Sequence, residues 1–283
     1  MPSTPVHHHL EHFLHKVRGA PAVLVQVAAT EGSVPREAGT WMAVFSDAVV
    51  GTIGGGHLEY EAIARARAQL GNPALANDDA LHRFALGPSL GQCCGGVVQL
   101  RFERLGPMHS TRDADVQALR QRLSHLTSPL RPVALFGGGH VGHALARVLA
   151  SLPFELTWID SRDGVFPPDL NANVHCEHSE PVQSAVASLA PGSLVLIMSF
   201  SHAEDLDVLA ACLLRQREQA DLPYIGLIGS KTKWAVFRHR LEARGFTSAE
   251  LAHVTSPIGV PGITGKEPEV IAVAVAAQLL QAR

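Results

Sequence analysis

Near the start of the chain, Leu10, Phe13, Leu14 and Val17 fall on one stripe at helical spacing, while His7, His8, His9, His12 and His15 fall mostly off it. Apolar residues at i, i+3, i+4 and i+7 predict an amphipathic helix over 10–18 with most of its histidines toward water. The period then changes. Residues 22–28 form a short Val-rich run bounded by Pro21 and Gly32, which predicts a buried strand. A turn is expected over 31–39, and the runs 41–45 and 48–53, parted by Ser46 and Asp47, predict a hairpin. The hairpin leads into Gly54, Gly55 and Gly56, followed by a helix over 58–70 and a strand over 97–102.

Beyond residue 132 the alternation of apolar runs and helical stretches becomes regular. Strands are expected at 133–136, 156–159, 194–198 and 224–228, with helices at 140–150, 204–216, 231–243 and 268–280. Strands that are apolar throughout suit a parallel sheet covered on both faces. The C-terminal half is therefore expected to be a Rossmann-like, doubly wound parallel α/β sheet, and the N-terminal half a smaller α/β domain. The stretch between them is polar, is punctuated by Pro107 and Pro129, and carries one amphipathic segment with Val116, Leu119, Leu123 and Leu126. The expected division is a domain over 1–105, a linker with one helix over 106–130 and a second domain over 131–283.

With 46% hydrophobic and 17% charged residues in 283, the chain has apolar surface for two cores, which excludes a disordered chain. Twenty-three Lys and Arg against 26 Asp and Glu give a net charge of −3, so no broad counter-ion for nucleic acid exists. The longest apolar run, 270–277, ends at Gln278, far short of the roughly 18 residues that read as a membrane span. No basic segment followed by an apolar one opens the chain, so the cytoplasm is the expected compartment. There, four cysteines form no disulfide framework; Cys176 and Cys212 stand alone, and only the adjacent Cys93 and Cys94 call for attention.

Five places carry candidate chemistry. Gly137, Gly139 and Gly142 fit G-x-G-x-x-G between a strand and a helix, and Asp160 ends the next strand where a ribose-binding acid would stand. A dinucleotide, NAD(P), and a packing role both satisfy that spacing. Gly54, Gly55, Gly56 and His57 form a second strand-to-helix loop, whose amides and positive helix end suit a phosphate, or whose glycines simply permit a sharp turn. Arg36, after Ser33-Val34-Pro35, could complete an anion site by bidentate contact or remain a solvated surface residue. Gln92, Cys93 and Cys94 lie between Gly91 and Gly95, where thin cover exposes soft sulfur to a soft metal or to sulfur transfer; two buried small hydrophobes are the alternative. Adjacent cysteines disfavour tetrahedral zinc. Ser201 reads as a helix cap before Glu204 and Asp205, and Lys231 as a phosphate contact at the end of the fourth strand.

Taken in order, Gly32 to Arg36, Gly51 to Glu59, Leu86 to Gly96, Phe136 to Gly142, Asp160-Ser161-Arg162, Gly226 to Lys231, and Ser256 to Gly259 with Pro268 to Ala272 resemble the xanthine dehydrogenase accessory protein family, XdhC and its CoxI relatives. The resemblance runs over nearly the whole chain. It implies a cytoplasmic chaperone, without turnover of its own, that binds the molybdenum cofactor, a phosphate-bearing pterin whose dithiolene holds molybdenum. The implied partners are a cysteine desulfurase that supplies the terminal sulfido ligand and the molybdenum-binding subunit of a xanthine dehydrogenase, with a homodimer as a further possibility. Cys93 and Cys94 become the implied contact to molybdenum or its sulfur, and Arg36 and the glycine loops the implied contacts to the rest. One departure stands out: Phe200 occupies a position where a histidine is expected, with His202 retained two residues on. From the residues alone, an NAD(P)-dependent oxidoreductase remains the rival reading.

Overall fold

The computed structural model describes residues 6–72, 81–86, 95–106, 113–124 and 130–282. It divides into two compact units, Met1–Pro129 and Leu130–Arg283.

In the first unit, α1 (Val6–Gly19) is followed by β1 (Ala22–Glu31), the hairpin β2 (Trp41–Val44) and β3 (Val49–Gly51), and α2 (Gly56–Gly71). Then come β4 (His82–Ala85), β5 (Val97–Leu105) and α3 (Asp113–Ser124). The five strands form one sheet in the order β3-β2-β1-β5-β4, antiparallel throughout. Alternate residues of β1 explain why its sequence shows no polar face. Ala22 and Leu24 pack against Leu10, Phe13, Leu14 and Val17 of α1 and Val116, Leu119 and Leu123 of α3. Val23, Val25 and Val27 pack on the other side against Leu58, Ala62 and Ala66 of α2. Helices thus cover both faces, and the α1 stripe is the apolar one expected, with His12 and His15 exposed.

The second unit holds a six-stranded parallel sheet built from β6 (Arg131–Phe136), β7 (Phe154–Asp160), β8 (Val174–His178), β9 (Leu194–Ile197), β10 (Tyr224–Leu227) and β11 (Val254–Thr255). The order β11-β10-β9-β6-β7-β8 is that of the doubly wound dinucleotide-binding fold, with the reversal of strand order between β6 and β9. On one face, α4 (His140–Leu149) and α8 (Pro268–Gln281) contribute Leu145, Leu149, Ala272, Val275 and Leu279 to a core around Trp158 and Phe154. On the other lie a short 3-10 helix (Val182–Ser188), α5 (His202–Gln219), α6 (Lys231–Ala243) and α7 (Ser248–Leu251), burying Val186, Leu209, Leu213, Phe237 and Leu241. Arg215 is buried here, and Asp221 and the carbonyls of Val186 and Leu189, which accept from its guanidinium, offset the cost of desolvating it. Cys212 fills a small apolar gap, and burial pushes its thiol up to about 12. Cys176, by contrast, is exposed on β8. Among the described residues, no helix is long and apolar enough to cross a membrane.

Candidate functional site

Antiparallel pairing sends several loops of the first unit to one end of its sheet. Glu31 and Ala85 both stand opposite Val97, Gln26 stands opposite Trp41, and Met42 stands opposite Gly51. The ends of β1, β3 and β4 and the starts of β2 and β5 therefore share an edge. The 32–40 turn, the glycine loop and the segment preceding β5 all emerge there.

The glycine loop is shaped by an acid that follows it. Glu59, in the first turns of α2, turns one carboxylate oxygen back onto the loop, where Thr52 Oγ1 donates at 2.5 Å, Ile53 N–H at 3.0 Å and Gly55 N–H at 3.1 Å. Thr52 Oγ1 in turn accepts from Gly54 N–H at 3.1 Å. The amides of residues 53–55 thus donate within the protein, whereas the sequence alone suggests loop amides free for a phosphate. Among the described residues, those of Gly56 and His57 meet no acceptor, and they sit at the positive end of a 16-residue helix whose N-cap, Gly55, supplies no side-chain cap. Gly55 has φ of +77°, and a Cβ there would meet nothing within 4 Å, so glycine serves the turn while its outer side stays open.

Arg36 belongs to the same place. A Cβ on Gly54 would lie 2.8 Å from Pro35 Cβ and 3.4 Å from Arg36 Cγ, so the Pro35-Arg36 turn lies directly on the glycine loop. Arg36 is exposed, and its guanidinium pairs with nothing among the described residues. His57 is exposed, 3.0 Å from Glu61 Oε1, and its ring stacks on the exposed Tyr60. Gln92, Cys93 and Cys94 lie outside the described residues. Gly95 and Gly96, which follow them directly in sequence, are described. A Cβ on Gly96 would stand 2.5 Å from the Ser33 carbonyl oxygen and 2.6 Å from that of Glu31, and Leu86 N–H donates to the Gly96 carbonyl at 2.8 Å. Residues 86 and 96 are therefore tied together, against the turn that carries Arg36.

In the second unit the glycines divide by role. Gly137 has φ of +123°, and a Cβ there would sit 2.0 Å from the Met198 carbonyl oxygen; a Cβ on Gly142 would sit 2.1 Å from that of Gly137. Both are required by the close passage of strand and helix. Gly139, the residue that caps α4, has ordinary extended geometry, and a Cβ there would meet nothing within 4 Å. Asp160 is 1% exposed, and its oxygens are all engaged: Gly138 N–H donates at 2.5 Å, and Arg162 donates from its amide, Nε and Nη2, each at 2.9 Å. Burial alone would raise this carboxyl, but the Arg162 and Gly138 hydrogen bonds and the guanidinium charge outweigh it and hold it below the usual aspartate range. Arg162 also stacks over the ring of Phe200, at 4.4 Å from its centroid. A ribose hydroxyl approaching Asp160 therefore meets a carboxylate already held by Arg162, whose own side chain is partly exposed.

Other carboxylates close the same edge. Asp205 accepts from Ser199 N–H at 2.7 Å and from Lys233 Nζ at 2.6 Å, while Glu204 accepts from Phe200 N–H at 3.0 Å and Ser161 Oγ at 2.7 Å. Ser201 caps α5 by accepting from Glu204 N–H, as the sequence indicated. Lys231 is exposed, whereas Lys233, which sequence reasoning passed over, is half-buried and paired with Asp205. Glu59 was also passed over, although an acid in the first turns after an N-cap is a recognisable signal. No group of three or more metal-ligating side chains occurs among the described residues.

A family model described as the XdhC Rossmann domain matches residues 133–279, just over half of the chain, and one described as the XdhC and CoxI family matches residues 16–83. The uncharacterized protein YqeB of Escherichia coli K12 is 26% identical over 271 residues, which are 94% of this chain and 44% of that protein. The chain thus spans less than half the length of this curated relative. A crystal structure described as a xanthine dehydrogenase from Bacillus halodurans aligns with a TM-score of 0.73 at 20% identity, over 97% of this chain and 95% of the other. That likeness establishes the fold.

Proposed function

Because the chain belongs to the XdhC family, whose members are tied to xanthine dehydrogenase maturation, we propose that it is a chaperone for the molybdenum cofactor, which it binds as cargo and passes on. The observation that carries this reading is the convergence at one sheet end of Arg36, the glycine loop with the first amides of α2, and the root of the segment bearing the cysteine pair. A cargo with a phosphate, a polar pterin and a thiolate-loving metal calls for those groups together: a fixed cation and helix amides for the anion, and soft sulfur for molybdenum. In this account Arg36, Gly56 and His57 hold the phosphate end, and Cys93 with Cys94 meets molybdenum or its sulfur.

The chain's own part is to bind, orient and shield. It holds the cargo while a cysteine desulfurase supplies the sulfido ligand, then yields it to the molybdenum-binding subunit of a xanthine dehydrogenase. An NAD(P)-dependent oxidoreductase is the weaker reading, since the acid that would meet a ribose, Asp160, already accepts from Arg162 and Gly138. The test is retention. Full-length protein is mixed with cofactor released from a molybdoenzyme and passed through gel filtration, with molybdenum and pterin measured in the protein peak. Wild type should carry both, and the Cys93→Ala/Cys94→Ala double variant should lose molybdenum; an empty wild-type peak refutes the proposal.

A further inference from the structure

We propose that Glu59 is a positioning residue of the anion site, holding the glycine loop in its binding shape while its charge keeps the grip on the anion weak enough for release. The inference rests on the reading above for the identity of the cargo, but not for its geometry. Three donors, Thr52 Oγ1, Ile53 N–H and Gly55 N–H, converge on a single Glu59 oxygen. That oxygen ties strand end, loop and helix start together. The turn it fixes places Gly54 against Pro35 and the Cγ of Arg36, which brings the stem of that arginine beside the loop that opens α2. Without this tie, the glycines at 54, 55 and 56, all at positive φ, would be free to leave that shape.

The same carboxylate is a full negative charge, and Gly55 N, the amide next to the proposed anion contacts, lies 3.1 Å from its oxygen. A charge so placed repels an incoming anion. A chaperone has to release what it holds, and a built-in like charge lowers affinity without loosening the geometry. The two roles separate on substitution. Glutamine keeps an acceptor oxygen for the three donors and removes the charge, whereas alanine removes both.

Inorganic phosphate is titrated into full-length wild type, Glu59→Gln and Glu59→Ala, followed by phosphorus NMR, and amide hydrogen exchange is read at Ile53 and Gly55. The Gln variant should bind phosphate about fivefold tighter than wild type and keep both amides protected. The Ala variant should bind about tenfold more weakly and lose that protection. A Gln variant no tighter than wild type, an Ala variant that binds as well as wild type, or absence of phosphate binding in all three overturns the proposal. If the phosphate series keeps its order while no form retains the molybdenum cofactor, Glu59 stands and the cargo assignment falls.

Discussion

Each unit presents a glycine loop between a strand and a helix, and in each one a carboxylate of the protein itself takes up loop amides, yet the two are filled in opposite ways. In the first unit Glu59 reaches back from the helix that the loop begins, and the outer face of the loop, with Arg36 upon it, stays open. In the second, Asp160 comes from the neighbouring strand, is fully buried, and is sealed by Arg162, which lies against Phe200. The first carboxylate shapes the loop of its own helix; the second is locked to its own arginine. The comparison teaches that glycine spacing marks where a backbone turns sharply, and that the charges around it decide whether a guest is received. By that criterion we propose the first loop as the binding site, although the second has the more familiar motif.

The sharpest way to break the comparison is at the glycines. Gly137→Ala places a Cβ against the Met198 carbonyl at a positive φ, and should cost about 3 kcal/mol or more in thermal or denaturant unfolding. A near-neutral result would mean that this loop is not built as described. Next in size is Asp160→Asn, expected to cost about 2 kcal/mol at pH 7 through loss of charge-assisted hydrogen bonds. Because the folded carboxyl is held below its ordinary 3.8, its stabilisation is present at neutral pH and is lost as the pH falls through the folded-state value. The gap between wild type and variant, measured by urea unfolding, should therefore close below about pH 4. A gap that widens on acidification would contradict the ion pair.

Gly54→Ala should cost about 1–2 kcal/mol, since its Cβ meets Pro35 at a positive φ, and it should also weaken phosphate binding by displacing Arg36. Smallest of all, Gly139→Ala has open space and ordinary geometry, and should change stability by less than about 0.5 kcal/mol. Should Gly139→Ala nevertheless abolish cofactor retention in the folded protein, the assignment of binding to the first loop would be wrong.

What the sequence made legible follows from what is local. The Val-rich run of β1, the α1 stripe and the apolar strands β6, β9 and β10 are set by their own residues, and they appear where the periodicity put them. Three strands escaped notice for the same reason in reverse. β8 reads Val-His-Cys-Glu-His with only Val174 buried, β4 offers four residues of mixed polarity, and β11 has two; each is an edge strand recruited by its neighbour. At the site, the glycines, Arg36 and the cysteine pair announce themselves by composition and spacing. The bond from Lys233 to Asp205 across 28 positions, and the Asp160–Arg162 pair turned inward instead of outward, depend on packing that no spacing reveals.

The claim that the first loop, not the second, receives the cargo is tested most directly by one paired measurement: molybdenum and pterin retained through gel filtration by full-length wild type, Arg36→Ala and Arg162→Ala. Removing the proposed charge contact should lower retention by Arg36→Ala about tenfold or more, while Arg162→Ala, destabilised by the loss of Asp160's partner, should retain cofactor like wild type once retention is normalised to folded protein. Retention by Arg36→Ala together with loss by Arg162→Ala would move the site to the second unit and contradict the account.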